Sequence, residues 1–279
     1  MREPDFPLIK CISENFIKPK HEVEESKQPY HLTPHDLLVL TAHHIQFGLL
    51  FTRPSHIKNQ VFSIHLFLES LKESFSRTLV HFYPLAGQFV TKVDEDKHES
   101  VVYVDCNKGP GARFIHATLD ITISDVLSPK DVPLVVQSLF DLNEEYVNYD
   151  GSSKPLLSIQ VTELLDGIFI ACSVNHCITD GTSYWHFWNV WSKIHQGNGK
   201  DTICELDLPV YTRWSPDGRA PGRAIAFRSG YGNSKDTGLV FACQGSEGGG
   251  SVDLEICLTP DSMDALESDK EFMAFVSQP

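Results

Sequence analysis

The chain has 279 residues, 41% hydrophobic and 22% charged, which suits one large domain or two modest ones and is too apolar for a disordered polyampholyte. A formal net charge of −14, with no Lys/Arg-rich run to offset it, argues against nucleic acid or an anionic membrane surface as a partner. No apolar run reaches 18 residues and none follows Met1, so neither a membrane span nor a signal peptide is expected.

Seven cysteines (Cys11, Cys106, Cys172, Cys177, Cys204, Cys243 and Cys257) are scattered without CxxC spacing. An odd number in this pattern reads as reduced thiols of a cytoplasmic protein, with Cys172 and Cys257 buried in strands, rather than as disulfides or a zinc site.

In chain order, residues 8–17 alternate roughly between apolar and polar and read as a first strand. Residues 18–35, with three prolines and the acidic run Glu22 to Glu25, read as a surface connection. The apolar run Leu37 to Leu40 is open between helix and strand, and Leu49 to Phe51 suggests a further strand. The clearest helix is 61–82: Phe62, Leu66, Leu68, Leu71, Phe75, Leu79 and Phe82 recur at three- and four-residue steps, and Pro84 and Gly87 end it. Strands are expected at 88–93, 100–105 and 113–118, with a charged hairpin loop at 94–99. Pro129 and Pro133 prevent any long element after them.

Residues 155–164 and 167–174 read as paired strands across an Asp166-Gly167 turn, residue types that tolerate positive φ. Residues 182–195 read as a helix with Trp185, Trp188 and Trp191 as packing bulk. Seven of the 18 glycines fall between 197 and 238, beside Pro209, Pro216 and Pro221, which marks a domain boundary or missing chain. A glycine-rich turn at 246–251, a strand over 252–258, a Thr259-Pro260 helix start and a helix to about Val276 complete the pattern.

The stretch that invites a chemical reading is Ser173-Val174-Asn175-His176-Cys177-Ile178-Thr179-Asp180-Gly181. A histidine at the end of a buried strand, before a turn into a helix, can serve as a general base, because imidazole takes up a proton at about pH 6.5. Asp180 could orient the ring or lock the turn. The spacing alone leaves open the alternative of a strand-end histidine satisfied by backbone, with Asp180 at a helix N-terminus.

His176 to Gly181 resembles the His-x-x-x-Asp-Gly motif of the plant acyl-CoA-dependent acyltransferases of the BAHD family. Leu32-Thr33-Pro34-His35-Asp36, Tyr83-Pro84-Leu85-Ala86-Gly87, Pro209-Val210-Tyr211-Thr212-Arg213-Trp214, Arg228-Ser229-Gly230-Tyr231-Gly232-Asn233 and the glycine turn before Val252 also resemble family stretches, in order and spacing. The resemblance implies a chloramphenicol-acetyltransferase-like α/β fold, a mixed sheet with flanking helices, built as two similar domains around a channel. It implies that His176 deprotonates an alcohol or amine acceptor, which attacks the thioester of an acyl-CoA without a covalent acyl-enzyme. Asp180, paired with an arginine, and Gly181, permitting the turn, would support the site. Acyl-CoA is then a co-substrate, with no tightly bound cofactor, and the acceptor is a small molecule of plant secondary metabolism.

Other candidates carry less. His31, His35, His43 and His44 have no carboxylate or cysteine pattern beside them, so no metal is expected. No Gly-x-Ser-x-Gly elbow and no phosphate-binding loop is present. Arg219, Arg223 and Arg228 form a small basic group best read as a solvated loop.

One departure from the family is plain: the Asp-Phe-Gly-Trp-Gly block that members carry near the C-terminus is absent. The expected organisation is therefore a largely complete first domain, 1–214, and a remnant of the second, 215–279. A truncated second domain would leave apolar surface open to self-association, and would offer a catalytically silent binding protein as the alternative function. Transcript reads across the codons for Trp214 to Arg223 check this reading. The middle is absent through a deletion, a splice form or a mis-joined gene model: the first two predict transcripts that join the two parts directly, and a longer insert in every transcript would make the present junction an artefact.

Overall fold

The computed structural model describes residues 8–57, 60–94, 99–129, 132–142, 146–197, 208–211, 239–244, 252–274 and 276. The elements are β1 (Lys10–Ile17), β2 (Tyr30–His31), α1 (Pro34–Leu37), β3 (Ile45–Thr52), β4 (His56–Ile57), β5 (Gln60–Val61), α2 (Ile64–His81), β6 (Gln88–Asp94), β7 (Glu99–Asp105), β8 (Ala112–Thr118), α3 (Ile123–Leu127), β9 (Leu157–Glu163), β10 (Gly167–Val174), α4 (Gly181–Gln196), β11 (Leu239–Gln244), β12 (Val252–Cys257), α5 (Pro260–Ser268) and α6 (Lys270–Met273). They fall into two compact units, Met1–Tyr211 and Thr212–Pro279.

The first unit is built on a mixed five-stranded sheet in the order β1-β8-β9-β10-β3. β8 and β9 run parallel, and the other neighbours run antiparallel. The mixed sheet with flanking helices is the expected fold class. β10 is buried along its whole length because it lies between β9 and β3 and is covered on both faces.

One face presents Leu157, Ile159 and Val161 of β9 and Ile168, Ile170, Cys172 and Val174 of β10 to α2 and α4. That is the period-two alternation of strands meeting the 3.6-residue stripe of helices. At the centre Phe75 is fully buried, its ring 5.3 Å from Trp191 and 6.2 Å from both Phe114 and Phe187. Leu66, expected on the buried stripe of α2, is instead 65% exposed, one position off the packed face.

The opposite face carries a second apolar core, with Phe169 and Ala171 of β10 against Leu119, Ile121, Val135 and Leu139, and beside it a buried polar cluster. Ser158 and Ser173 donate to the Oδ2 and main-chain oxygen of Asp141 at 2.5 and 2.6 Å, and Gln46 Nε2 donates to Asp141 O at 2.7 Å and Leu142 O at 3.0 Å. Arg113 Nη1 reaches both Asp141 carboxylate oxygens at 3.2 Å. These bonds hold the chain where Leu142 takes a left-handed φ of 58°, a conformation that costs a non-glycine residue about 1 kcal/mol or more.

A smaller sheet, β2-β7-β6, covers a separate core of Phe89, Val102, Val104, Cys106, Leu156 and Cys177. β2 was expected to be part of a surface connection; it pairs with Tyr103 and Val104 of β7, so the long polar segment is pinned halfway along. Leu37 to Leu40, left open between helix and strand, closes α1 and enters a turn. α3 was not foreseen; a reciprocal Thr122–Asp125 capping box stabilises this short helix.

The Asp166-Gly167 hairpin joins β9 and β10 as expected, and Leu164 N donates to Gly167 O at 2.9 Å. Its glycine is needed for a different reason, however. Gly167 has no left-handed φ; a Cβ there would lie 2.8 Å from Ile123 Cγ1 and 2.9 Å from Phe51 O, so the constraint is close approach.

In the second unit β11 and β12 pair antiparallel, and the strand over β11 had not been foreseen. Thr259 caps α5 by accepting from Ser262 N. The expected helix to about Val276 breaks at Asp269, whose Oδ1 accepts from Glu271 N and Phe272 N at 2.8 and 3.0 Å. The side chain competes for the helical donors and starts α6 instead. The glycine turn at 246–251 lies outside the described residues.

Phe75→Ala empties the middle of the helix-side core, and a loss of about 3–5 kcal/mol in unfolding free energy is expected by denaturant titration.

Candidate active site

His176 stands one residue beyond Asn175, which follows the last residue of β10, and four residues before the N-cap of α4. A strand buried on both faces that turns into a helix leaves many main-chain polar groups to satisfy away from water. Two fully buried asparagines, Asn148 and Asn175, satisfy them. Asn148 Oδ1 accepts from His176 N at 2.8 Å, and Asn148 O accepts from Asn175 Nδ2 at 2.7 Å. Asn175 Oδ1 accepts from Cys177 N at 3.0 Å, and Asn175 N donates to Leu156 O at 2.8 Å.

Asn148 is itself tied to the turn after α1. Its Nδ2 donates to Val39 O at 2.7 Å and His43 O at 3.3 Å, and its main-chain N donates to Ala42 O at 2.9 Å. The sequence reading missed both asparagines. Asn175 stands beside the histidine in plain view, but Asn148 lies 28 residues away in a segment without periodicity.

The residues after His176 alternate between anchor and surface. Cys177 is buried in the core beneath the smaller sheet, and half-buried Ile178 touches both that core and the helix-side core. Burial pushes the Cys177 thiol up to about 12, so it is neither a nucleophile nor a metal ligand near neutral pH. Cys106 and Cys172 are likewise buried, with thiols pushed up to about 12. His176 is half-buried and so keeps access to solvent.

Asp180 is exposed and is the N-cap of α4: its Oδ1 accepts from Ser183 N at 2.7 Å. That bond holds its carboxyl below the ordinary value of 3.8, and the nearby His176 adds a smaller contribution in the same direction. No arginine partner for Asp180 is found among the described residues, and Arg213, Arg219, Arg223 and Arg228 lie outside them. Gly181 opens α4. A Cβ there would meet nothing within 4 Å and its φ is not left-handed, so the turn itself does not demand glycine, contrary to expectation.

Three of the other stretches singled out in the sequence pack near this turn. Thr33 and Asp36 cap each other at α1, with Thr33 N donating to Asp36 Oδ2 at 2.7 Å. Leu32, Val39, Tyr83 and Ile178 pack on the core that holds Cys177. Tyr211 lies edge-on to Tyr30 at 5.7 Å and to Tyr83 at 5.2 Å. Arg219, Arg223 and the stretch Arg228 to Asn233 lie outside the described residues.

The remaining candidates have structural roles. His44 is buried, and burial lowers its imidazole to about 4. His43 Nδ1 lies 3.2 Å from Tyr146 O. His195 Nδ1 lies 3.0 Å from Ser74 Oγ, which also accepts from Trp191 Nε1 at 3.0 Å. Trp188 and Trp191 are core residues as expected, whereas Trp185 is 44% exposed beside Phe47.

Residues 8–219, which include the mixed sheet, His176 and the capped helix that follows it, match the Transferase family. The chain belongs to that family, and within it to the plant acyltransferases of BAHD type. An uncharacterized acetyltransferase of Arabidopsis thaliana is 36% identical over 203 residues, covering 72% of this chain and 44% of the relative. The Arabidopsis BAHD acyltransferase DCR is 34% identical over 221 residues, covering 72% and 44%. The fold is that of vinorine synthase, with a TM-score of 0.57 at 24% identity over 73% of this chain and 45% of that enzyme. The chain thus spans less than half the length of these relatives.

Asp180→Ala removes the cap, and a loss of about 1 kcal/mol is expected at neutral pH. Because the folded carboxyl is held below 3.8, the wild-type advantage is full above that pH and disappears as pH falls through the depressed value. Paired thermal melts from pH 7 to pH 3 should therefore converge at the acid end.

Proposed function

We propose that the protein transfers an acyl group from an acyl-CoA to the hydroxyl or amine of a small plant metabolite, with His176 as general base. The observation that carries this reading is the way His176 is held. Its main chain is fixed from behind by Asn148 and the buried Cys177, while the residue as a whole stays half-buried rather than sealed in the core. The imidazole takes the acceptor's proton as the oxygen or nitrogen attacks the thioester carbonyl. The tetrahedral intermediate then collapses, the carbon–sulfur bond breaks, and the imidazolium returns its proton to the departing CoA thiolate. A base placed in this way contributes about 10²–10⁴-fold. The high thiol value of Cys177 argues against an acyl group passing through the neighbouring cysteine. Asp180 supports the site by capping α4, which opens at Gly181.

The relatives supply the substrate class. One is named as a malonyltransferase of an acylated pelargonidin glucoside in Salvia splendens and another as a coumaroyl-CoA:anthocyanidin glucoside coumaroyltransferase in Arabidopsis. Acyl-CoA is accordingly proposed as a co-substrate, with no tightly bound cofactor. A cytoplasmic location agrees with the free buried thiols of Cys106, Cys172 and Cys177. No helix among the described residues is long and apolar enough to cross a membrane. We also propose residues 1–214 as the first acyltransferase domain and 215–279 as a remnant of the second.

A second reading, a catalytically silent relative that binds itself or another protein, is favoured by one observation. Among the described residues β3 ends the sheet, and Phe47 and Phe51 on it and Trp185 beside it are exposed. An open apolar strand edge favours association.

Incubation with a panel of acyl-CoA donors and alcohol or amine acceptors should release free CoA, and His176→Ala should lower that release by about 10²-fold or more. Equal release by both proteins, or none from a sample with a cooperative melt, would refute acyl transfer. Concentration-dependent oligomers in that silent sample would support the second reading.

A further inference from the structure

We infer that Asn148 is the positioning residue for His176, coupling the main chain of the proposed base to the turn after α1. The inference rests on the acyl-transfer reading only for its kinetic consequence; the coupling itself is a matter of geometry.

Four of its bonds make the case. Asn148 Oδ1 accepts from His176 N at 2.8 Å, and its Nδ2 donates to Val39 O at 2.7 Å and His43 O at 3.3 Å. Its main-chain O accepts from Asn175 Nδ2 at 2.7 Å. The side chain therefore has its acceptor on one segment and both donors on another. No water reaches it, since Asn148 is fully buried. Only a carboxamide offers an acceptor and two donors at this distance; a carboxylate lacks the donors and an ammonium lacks the acceptor.

Two further bonds show that the register is set from both sides. Asn148 N donates to Ala42 O, and Tyr149 N donates to Leu40 O, each at 2.9 Å. The 39–43 turn and the 148–149 strip thus move as one piece, and the Asn148 side chain is the direct hydrogen bond from that piece to His176. Asn175 completes the bracket through Cys177 N at 3.0 Å. A base must sit within a few tenths of an ångström of its working position, and misplacement by about 1 Å can cost about 10²-fold in rate. Fixing the histidine main chain in this way leaves its ring as the remaining freedom.

The test combines amide hydrogen exchange with kinetics on the full chain. In Asn148→Ala the His176 amide is expected to exchange about 100-fold faster while the Cys172 and Val174 amides, held in β10, keep their protection. In the same variant kcat for CoA release should fall about 30-fold or more, with KM for acyl-CoA and for acceptor unchanged within about threefold. Asn148→Asp retains an acceptor for His176 N and loses the donors to Val39 and His43, so its His176 amide should stay protected and kcat should recover in part. Ser74→Ala, a buried polar change between α2 and α4, serves as the stability-matched control and should leave the His176 amide unaltered.

Unchanged His176 exchange in Asn148→Ala overturns the proposal, as does a loss of rate that appears in KM alone. Should the alanine variant fail to fold, the aspartate variant decides: a protected His176 amide supports the bracket and a fast one overturns it. The exchange arm needs no turnover. A wild-type protein that releases no CoA refutes acyl transfer and leaves the bracket to be judged by exchange.

Discussion

The rest of the site depends on one constraint: the turn between β10 and α4 is buried, so each of its main-chain polar groups needs a partner. An unmatched buried donor costs about 1–3 kcal/mol, and this turn would otherwise carry several. Asn175 serves the turn from within, accepting from Cys177 N. Asn148 serves it from outside, accepting from His176 N. Asp180 then supplies Ser183 N at the mouth of α4. Three short polar side chains thus convert an awkward junction into a fixed one.

A fixed junction allows the apolar residues to do the rest. Cys177 and Ile178 enter the core below the smaller sheet, and Ile178 also touches the helix-side core. The turn is therefore pinned between two packed bodies, not laid over one. His176 keeps solvent access because the residues on either side of it, Asn175 and Cys177, take the buried positions. The same logic operates in the polar cluster on the opposite face of the sheet. There Asp141 collects Ser158, Ser173, Gln46 and Arg113, and the chain is held through the left-handed Leu142. In both places short buried polar side chains set backbone positions.

The length of the chain bears on how such a junction works. It spans less than half of the relatives it matches, yet the first unit satisfies the turn internally. Among the described residues His176 N is held by Asn148, which is itself bonded to residues 39–43 and to Asn175. The main chain of the histidine is thus held by bonds within this unit. Enclosure is a different matter. A half-exposed imidazole works best when water is excluded, and the exposed Phe47, Phe51 and Trp185 at the β3 edge are apolar surface of the kind that packing normally covers.

What the sequence by itself determined is what depends on near neighbours along the chain. The apolar stripe of α2, the largely apolar β10, the Asp166-Gly167 hairpin and the Thr259 cap were legible because a period or a cap needs only a few adjacent residues. The His-x-x-x-Asp-Gly stretch was legible as a motif for the same reason. Tertiary structure alone decided which interaction each residue makes. Gly167 is required by the approach of Ile123 and Phe51 rather than by φ, Asp180 caps α4, and Leu66 falls off the packed face. Above all, only the fold could bring Asn148 to His176, because a hydrogen bond between segments 28 residues apart leaves no period in the sequence; it exists once the strands have paired and the turn has been buried.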